Sequence, residues 1–346
     1  MLKNRQTYKA FVVCAVILLQ FLPLNHGAAT KKLKVNLSKT TRLKNDHRRN
    51  LLNSLSERFQ TPKEDIHLEE LTGGRSRNRV FKVHFKDSSV YVLKIFDNGR
   101  NARQEFNTYT ALQKKRLSHS KTPKPVAWSE TIGGVVQEGL WMRHVESTPV
   151  SSLVNARVKN EASKEDLARG VAMVGVALRE VHDVFYTGQW MSKASKASEI
   201  EHTRGLLAQK KKLLGSQYGQ TKKRYEEELV PNFLEARIRE TAYHGDANSD
   251  NFLITENELM IIDVATMRWS LNGDQGTMTG APDIARFLES LKLNSNPKLS
   301  SSEYLSLKNT FLKSYEQDKS PEQKEDFQKA IDFYTFQFQL AAQISP

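Results

Sequence analysis

The sequence predicts a two-lobed α+β protein: a small antiparallel β lobe with one helix, then a mainly helical lobe. Three observations predict it. Residues 66–96 hold three runs with the two-residue alternation of strands, separated by turn chemistry. Leu167, Val171, Val174, Leu178, Val181 and Phe185 repeat at spacings of four and three, the apolar stripe of a helix. The chain has 346 residues, 38 % of them hydrophobic, enough for two coupled lobes. Only one apolar run approaches membrane length, which excludes a multi-span membrane protein. The single cysteine, Cys14, lies in that run, which excludes a disulfide scaffold and a cysteine-based metal site.

The first thirty residues read as an address. Lys3, Arg5 and Lys9 precede an apolar stretch, Ala10 to Leu24, broken only by Gln20. Gly27 and Ala29 then supply the small residues of a cleavage site after Ala29. This is the order of a secretory signal peptide. Residues 1–29 are therefore expected to be removed and the chain exported, as a periplasmic, secreted or host-directed protein. The alternative is an uncleaved N-terminal membrane anchor.

Charge is unevenly spread over a chain with 52 Lys+Arg, 39 Asp+Glu and a formal net charge of +13. Residues 30–60 read as a basic N-terminal arm, with nine Lys or Arg and two acids. Solvation is the expectation for this arm, and contact of residues 31–58 with an anionic surface is the sharper alternative. No aromatic residue lies between Thr30 and Arg58, so base stacking and specific nucleic-acid binding are not expected.

Residues 61–145 read as the small lobe. Ile66 to Leu71 leads into Thr72-Gly73-Gly74-Arg75-Ser76-Arg77-Asn78, and Val80 to Phe85 and Val90 to Phe96 follow as strands. Paired glycines let backbone N–H groups approach an anion closely, so Gly73, Gly74, Ser76 and Asn78 are candidate phosphate contacts. Lys94 sits in an apolar strand and needs a counter-charge, and Glu105, on a helix predicted from Asn101 to Lys114, can supply it. Gly133-Gly134 and the run Gly139 to Met142 predict a further hairpin. Arg143 to Glu146 then leads out of the sheet. Met142 and this connector offer backbone groups to a base edge.

Residues 146–346 read as the helical lobe. Ser163-Lys164-Glu165-Asp166 begins a helix that runs to about Tyr186. His182 on that helix reads as structural. Residues 199–230 form a strongly charged helical region. Glu322 to Gln343 is an amphipathic helix carrying Phe327, Ile331, Tyr334 and Phe338. The most informative stretch is Tyr243-His244-Gly245-Asp246-Ala247-Asn248-Ser249-Asp250-Asn251. A short strand, a turn at Glu256 to Glu258 and a second strand then end at Asp263. A hairpin of this size returns Asp263 beside Asn251. One amide and one carboxylate oxygen, with phosphate oxygens and water, suit Mg2+. Asp246 is then left to act on a hydroxyl.

These residues resemble the aminoglycoside phosphotransferase and choline kinase branch of the protein-kinase-like fold. That family carries His-Gly-Asp, four residues and Asn in its catalytic loop, with a metal-binding Asp after the next hairpin. Here these are His244, Gly245, Asp246, Asn251 and Asp263. Gly73 to Phe81 resembles the family's glycine loop, Leu93-Lys94-Ile95 its lysine strand, and Ala281-Pro282-Asp283-Ile284-Ala285 a later helix start whose Asp is structural. The similarity covers roughly residues 60–346. It departs after Asp263, where Val264-Ala265-Thr266 replaces an aromatic or glycine pair, and in a glycine loop one residue longer than expected.

The resemblance implies phosphoryl transfer from ATP to a hydroxyl of a small molecule, such as a sugar or amino alcohol. Lys94 is then the α/β-phosphate ligand fixed by Glu105, Asn251 and Asp263 hold Mg2+, and Asp246 is catalytic. The competing readings are a kinase-like effector acting on a protein or an anionic envelope glycan, and a nucleotide-binding relative without turnover. His-Gly-Asp in place of His-Arg-Asp, and the lack of an Ala-Pro-Glu segment, favour small acceptors.

Overall fold

The computed structural model describes residues 37–71, 78–96, 100–127, 130–132, 135–137, 139–256, 258–267, 279–295 and 297–342. The signal-peptide reading of residues 1–29 therefore lies outside the described residues, as do Gly73, Gly74 and Ser76 of the glycine loop.

In chain order the main elements are α1 (Leu37–Phe59), β1 (Ile66–Leu71), β2 (Arg79–Phe85), β3 (Val90–Ile95), α2 (Arg100–Lys114), β4 (Ser120–Lys121), β5 (Pro125–Ala127), β6 (Glu130–Ile132), β7 (Val135–Gln137), β8 (Gly139–Arg143) and β9 (Thr148–Pro149). Then come α3 (Val150–Val158), α4 (Lys164–Val184), α5 (Lys193–Gln209), a run of short helical pieces over 211–235, β10 (Phe252–Ile254), β11 (Leu259–Ile261), α6 (Ala281–Leu293), α7 (Ser301–Tyr315) and α8 (Pro321–Ala341). No described helix is long and apolar enough to cross a membrane. The chain forms two compact units, one reaching to Phe106 and resuming over 125–144, the other holding 107–124 and everything from Val145. The chain changes unit after His144, beside the boundary expected after residue 145, and a further division falls inside α2.

The first unit is built on a five-stranded sheet in the order β1-β2-β3-β8-β5, antiparallel throughout. Its core holds Ile66, Leu68, Phe81, Val83, Leu93, Ile95 and Trp141. Strands β6 and β7 pair with each other, Ile132 opposite Val135, whereas β8 pairs with β3; Gly133 and Gly134 lie outside the described residues.

Residues 30–60 were expected to be a solvated arm, and the structure corrects this. Helix α1 occupies Leu37–Phe59, and Leu51 and Leu55 are buried in the sheet's core. Leu51, Leu55 and Phe59 recur every four residues, so one stripe of a charged helix is apolar. Phe59 lies edge-on to Phe85 at 4.9 Å and to Trp141 at 5.4 Å. Arg48 donates to the carbonyl of Leu68. Charge dominated the composition, but three apolar side chains decided the packing.

The second unit is mainly helical. Its long helix α4 begins where Ser163 Oγ accepts from the Asp166 N–H at 2.9 Å. The stripe Leu167, Val171, Val174, Leu178 and Val181 is buried. The charged region is helical from Lys193 onward, with a π-helical turn at Tyr225–Leu229. Helix α8 starts with a capping box of Ser320 and Gln323 and buries Ile331 and Tyr334. A small sheet, β4-β11-β10-β9, carries the hairpin β10–β11. The five-stranded antiparallel sheet of the first unit and the mainly helical second unit are the two parts of a protein-kinase-like architecture.

Candidate active site

In the first unit, β3 and α2 place Lys94 and Glu105 together. Lys94 Nζ donates to Glu105 Oε2 at 2.8 Å, and the two side chains are 8 % and 1 % exposed. The Phe96 ring lies 5.0 Å from the ammonium. Two charges held this dry cost desolvation energy that a well-packed apolar pair would avoid, so such a pair points to a task. Asn78 is half-buried just before β2. Met142, the last residue of the strand run expected from Gly139, lies in β8 opposite Val92 on one side and Pro125 on the other. The sheet extends further than the sequence suggested, because the His144 N–H still donates to the Val90 carbonyl at 3.0 Å.

In the second unit the hairpin β10–β11 brings Asn251 and Asp263 together. Phe252 faces Ile261, and the Ile262 N–H donates to the Asn251 carbonyl at 3.0 Å. Asn251 is 7 % exposed, and its Nδ2 donates to the Asp246 carbonyl at 2.8 Å. That bond fixes the amide so that Oδ1 is its remaining polar atom. Asp263 has left-handed backbone, φ +57°, and its N–H donates to Tyr109 Oη at 3.0 Å. Aspartate tolerates this conformation better than most residues, and strained backbone clusters at functional sites.

Asp246 is held on one oxygen. Asn248 Nδ2 donates to its Oδ1 at 2.9 Å, and the Arg286 guanidinium pairs with the same oxygen. Among the described residues nothing engages Oδ2. Arg286 also donates to the Gly245 carbonyl at 3.2 Å, so one guanidinium braces two successive residues. The His244 ring donates through Nε2 to the Ile262 carbonyl at 3.0 Å and accepts at Nδ1 from the Asp246 N–H at 3.2 Å. A carbonyl only accepts, so the ring proton sits on Nε2. The ring thereby ties the loop to the strand that ends at Asp263.

Asp283 anchors the loop from beneath. It is 1 % exposed and accepts from the His244 N–H at 2.5 Å and the Gly245 N–H at 2.9 Å. His182 Nε2 lies 3.2 Å away, and His182 Nδ1 is 2.8 Å from Tyr315 Oη. Gly245 is required at its position. Its φ is +79°, and a Cβ would meet the Thr266 carbonyl at 2.9 Å. Thr266 Oγ1 donates to the His244 carbonyl at 3.0 Å, so the residues after Asp263 pack directly on the loop.

Sequence reasoning missed Arg286 and Ser290. Ser290 Oγ accepts from the Ser249 N–H at 2.9 Å. With Asp283 these make a polar stripe at i, i+3 and i+7 on α6, all facing the loop. That spacing was readable once the helix start at Ala281 had been recognised.

The donor set is of the kind magnesium takes: Asn251 and Asp263 would offer it an amide and a carboxylate oxygen, with water and phosphate for the rest of its shell. Among the described residues no group of three His, Cys, Asp or Glu could hold a metal alone. A site drawing most of its ligands from phosphate and water does not need one.

Comparison with known proteins bears on the fold and on the family. Solved structures that share the fold include the following two. Glucosamine kinase in complex with glucosamine, ADP and inorganic phosphate has a TM-score of 0.50 at 14 % identity, over 83 % of this chain and 76 % of that chain. A thermostable mutant of aminoglycoside phosphotransferase APH(4)-Ia, bound to ADP and hygromycin B, has a TM-score of 0.50 at 11 % identity, over 83 % and 90 %. No curated protein sequence matches significantly. The family model described as the phosphotransferase enzyme family matches residues 67–271, a span that includes most of the small unit and the whole β10–β11 hairpin. By that match the chain belongs to the phosphotransferase enzyme family.

Proposed function

We propose that the protein transfers the γ-phosphoryl group of ATP to a hydroxyl of a small molecule. The observation that carries this reading is the posture of Asp246. Its Oδ1 is committed to Asn248 and Arg286, which turns the other carboxylate oxygen to whatever approaches the loop. In this reading Oδ2 accepts the acceptor hydroxyl's hydrogen bond and takes its proton as the oxygen–phosphorus bond forms and ADP leaves. Phosphoryl transfer asks the protein mainly for positioning and charge neutralisation. Lys94 would hold the α- and β-phosphates, with Glu105 restricting its ammonium to one place. Asn78 and the glycine-loop residues Gly73, Gly74 and Ser76 would add backbone donors. Asn251 and Asp263 would hold Mg2+, which when bound neutralises phosphate charge. Base contacts would fall to Met142 and the connector that follows it.

Kinase relatives whose structures hold ADP with glucosamine or hygromycin B support a small hydroxylated acceptor. The test is Mg-ATP binding in Lys94→Ala and Asp263→Ala, followed by a screen of hydroxyl acceptors with labelled ATP. Each substitution is expected to weaken nucleotide binding by about tenfold or more, the loss of a charge-assisted contact. Unchanged binding in both would place the nucleotide elsewhere.

A further inference from the structure

Asp263 stands at the N-cap of a short helical turn, Val264–Thr266. An aspartate in that place ordinarily has extended backbone and spends its carboxylate on the turn's free N–H groups. Asp263 does neither. Its backbone is left-handed, φ +57° and ψ +49°, and its side chain makes no capping bond. Left-handed backbone costs energy in any residue with a Cβ, so the surroundings must hold it.

The chain is tied on both sides of Asp263. The Ile262 N–H donates to the Asn251 carbonyl at 3.0 Å, and Thr266 Oγ1 donates to the His244 carbonyl at 3.0 Å. The tie at Asp263 itself comes from 154 residues away, where its N–H donates to Tyr109 Oη at 3.0 Å. Tyr109 lies on α2 and is 0 % exposed, so close packing keeps its ring in place and its hydroxyl at one point. Phenylalanine would fill the same space. A buried phenol hydroxyl costs desolvation unless it is bonded, and here the bond goes to the one strained peptide beside Asn251.

We propose that Tyr109 is a positioning residue for the magnesium site. Its hydroxyl holds the Asp263 peptide left-handed and so fixes where the Asp263 carboxylate is presented. The proposal rests on the reading of Asp263 as a magnesium ligand. Turning φ to an ordinary negative value would re-aim the Cα–Cβ bond of Asp263 and carry its carboxylate away from Asn251. Tyr109 acts only through Asp263 and has no part in the transfer itself.

The test is titration calorimetry of ADP on the full chain, in EDTA and over a series of Mg2+ concentrations. The proteins are the parent, Tyr109→Phe, Asp263→Asn and the double variant, and no turnover enters the readout. Tyr109→Phe keeps the ring and removes the hydroxyl. The Mg2+ concentration needed for half of the gain in ADP affinity is expected to rise about threefold to tenfold, the weight of one hydrogen bond. Affinity for ADP in EDTA is expected to stay within about twofold. Asp263→Asn keeps a residue that tolerates left-handed backbone, removes the carboxylate, and is expected to raise the Mg2+ requirement further. In that background Tyr109→Phe is expected to add nothing, because the group it positions is gone. Tyr109→Met, which fills the space without a hydroxyl, takes the place of Tyr109→Phe if the latter does not fold, and the same shift is expected of it. A hydroxyl serving packing alone would lower the unfolding midpoint and leave the Mg2+ dependence as in the parent, and that result overturns the proposal. An effect of Tyr109→Phe undiminished in Asp263→Asn overturns it as well. Mg2+ dependence unchanged in Asp263→Asn itself would refute the magnesium reading of Asp263, and the role of Tyr109 with it. A shift in Asp263→Asn with none in Tyr109→Phe would refute the role of Tyr109 alone.

Discussion

At the scale of single residues, Arg286 decides how Asp246 is presented. It pairs with Asp246 Oδ1 and braces the Gly245 carbonyl, both contacts made from one planar guanidinium. Lysine has one point charge and cannot make both in the same geometry. Arg286→Met is expected to lower kcat by about tenfold to a hundredfold with KM for ATP nearly unchanged, because a positioning contact is lost rather than a binding one. Arg286→Lys should recover only part of that loss. Steady-state kinetics on both variants checks the split, and a loss confined to KM would contradict the role. Gly245 gives a stability counterpart. An alanine there must hold φ near +79° and push its Cβ against the Thr266 carbonyl. Gly245→Ala is expected to cost about 1–3 kcal/mol, read as a lower denaturant midpoint.

At the scale of elements, helix α6 works as a spine for the loop, with Asp283, Arg286 and Ser290 one above another on the face it turns to residues 244–249. Asp283 was legible as a structural residue, because the segment 281–285 resembles a known helix start. Arg286 and Ser290 were not, because a polar stripe becomes meaningful only when its partner loop is known to lie opposite. Helix α1 shows the reverse failure. Its leucines were visible in the sequence, but nine basic residues in 30–60 directed attention to solvent and anionic surfaces. Leu55 is 1 % exposed among sheet residues, so Leu55→Ala is expected to cost about 2–5 kcal/mol, as large-to-small core changes do. Thermal or denaturant unfolding checks this, and a change near zero would return α1 to the status of an appendage.

At the scale of the whole molecule, the division into a sheet unit and a helical unit was legible because alternation and helical spacing occupy separate stretches. The division inside α2 was not, because α2 is a single continuous helix with no break in its sequence at Phe106. The end of β8 was not legible for a related reason: sequence alternation does not say how far a strand remains paired, and β8 stays paired to Arg143, one residue past the expected run. Alkaline stability is a property of the whole helical unit. Burial pushes the phenols of Tyr225, Tyr315 and Tyr334 above their ordinary value of 10.0. Tyr225 Oη also donates to the Ile200 carbonyl at 2.6 Å. These groups keep their protons in the folded state at pH values where the unfolded chain loses them. The unfolded state then binds fewer protons, so stability falls as pH rises past about 10. Absorbance titration should show these tyrosines ionising together with unfolding, and ionisation with the fold intact would contradict their burial.

The central claim is that Asp246 acts on the acceptor hydroxyl while other groups hold the nucleotide. Its most direct test is Asp246→Asn, assayed for phosphoryl transfer to any accepted hydroxyl and, in the same preparation, for Mg-ATP affinity. Asparagine keeps the Oδ1 contact to Asn248 and removes the proton acceptor. The expected result is turnover reduced by about a hundredfold or more with nucleotide affinity held within about twofold. Turnover close to that of the parent protein would contradict the account.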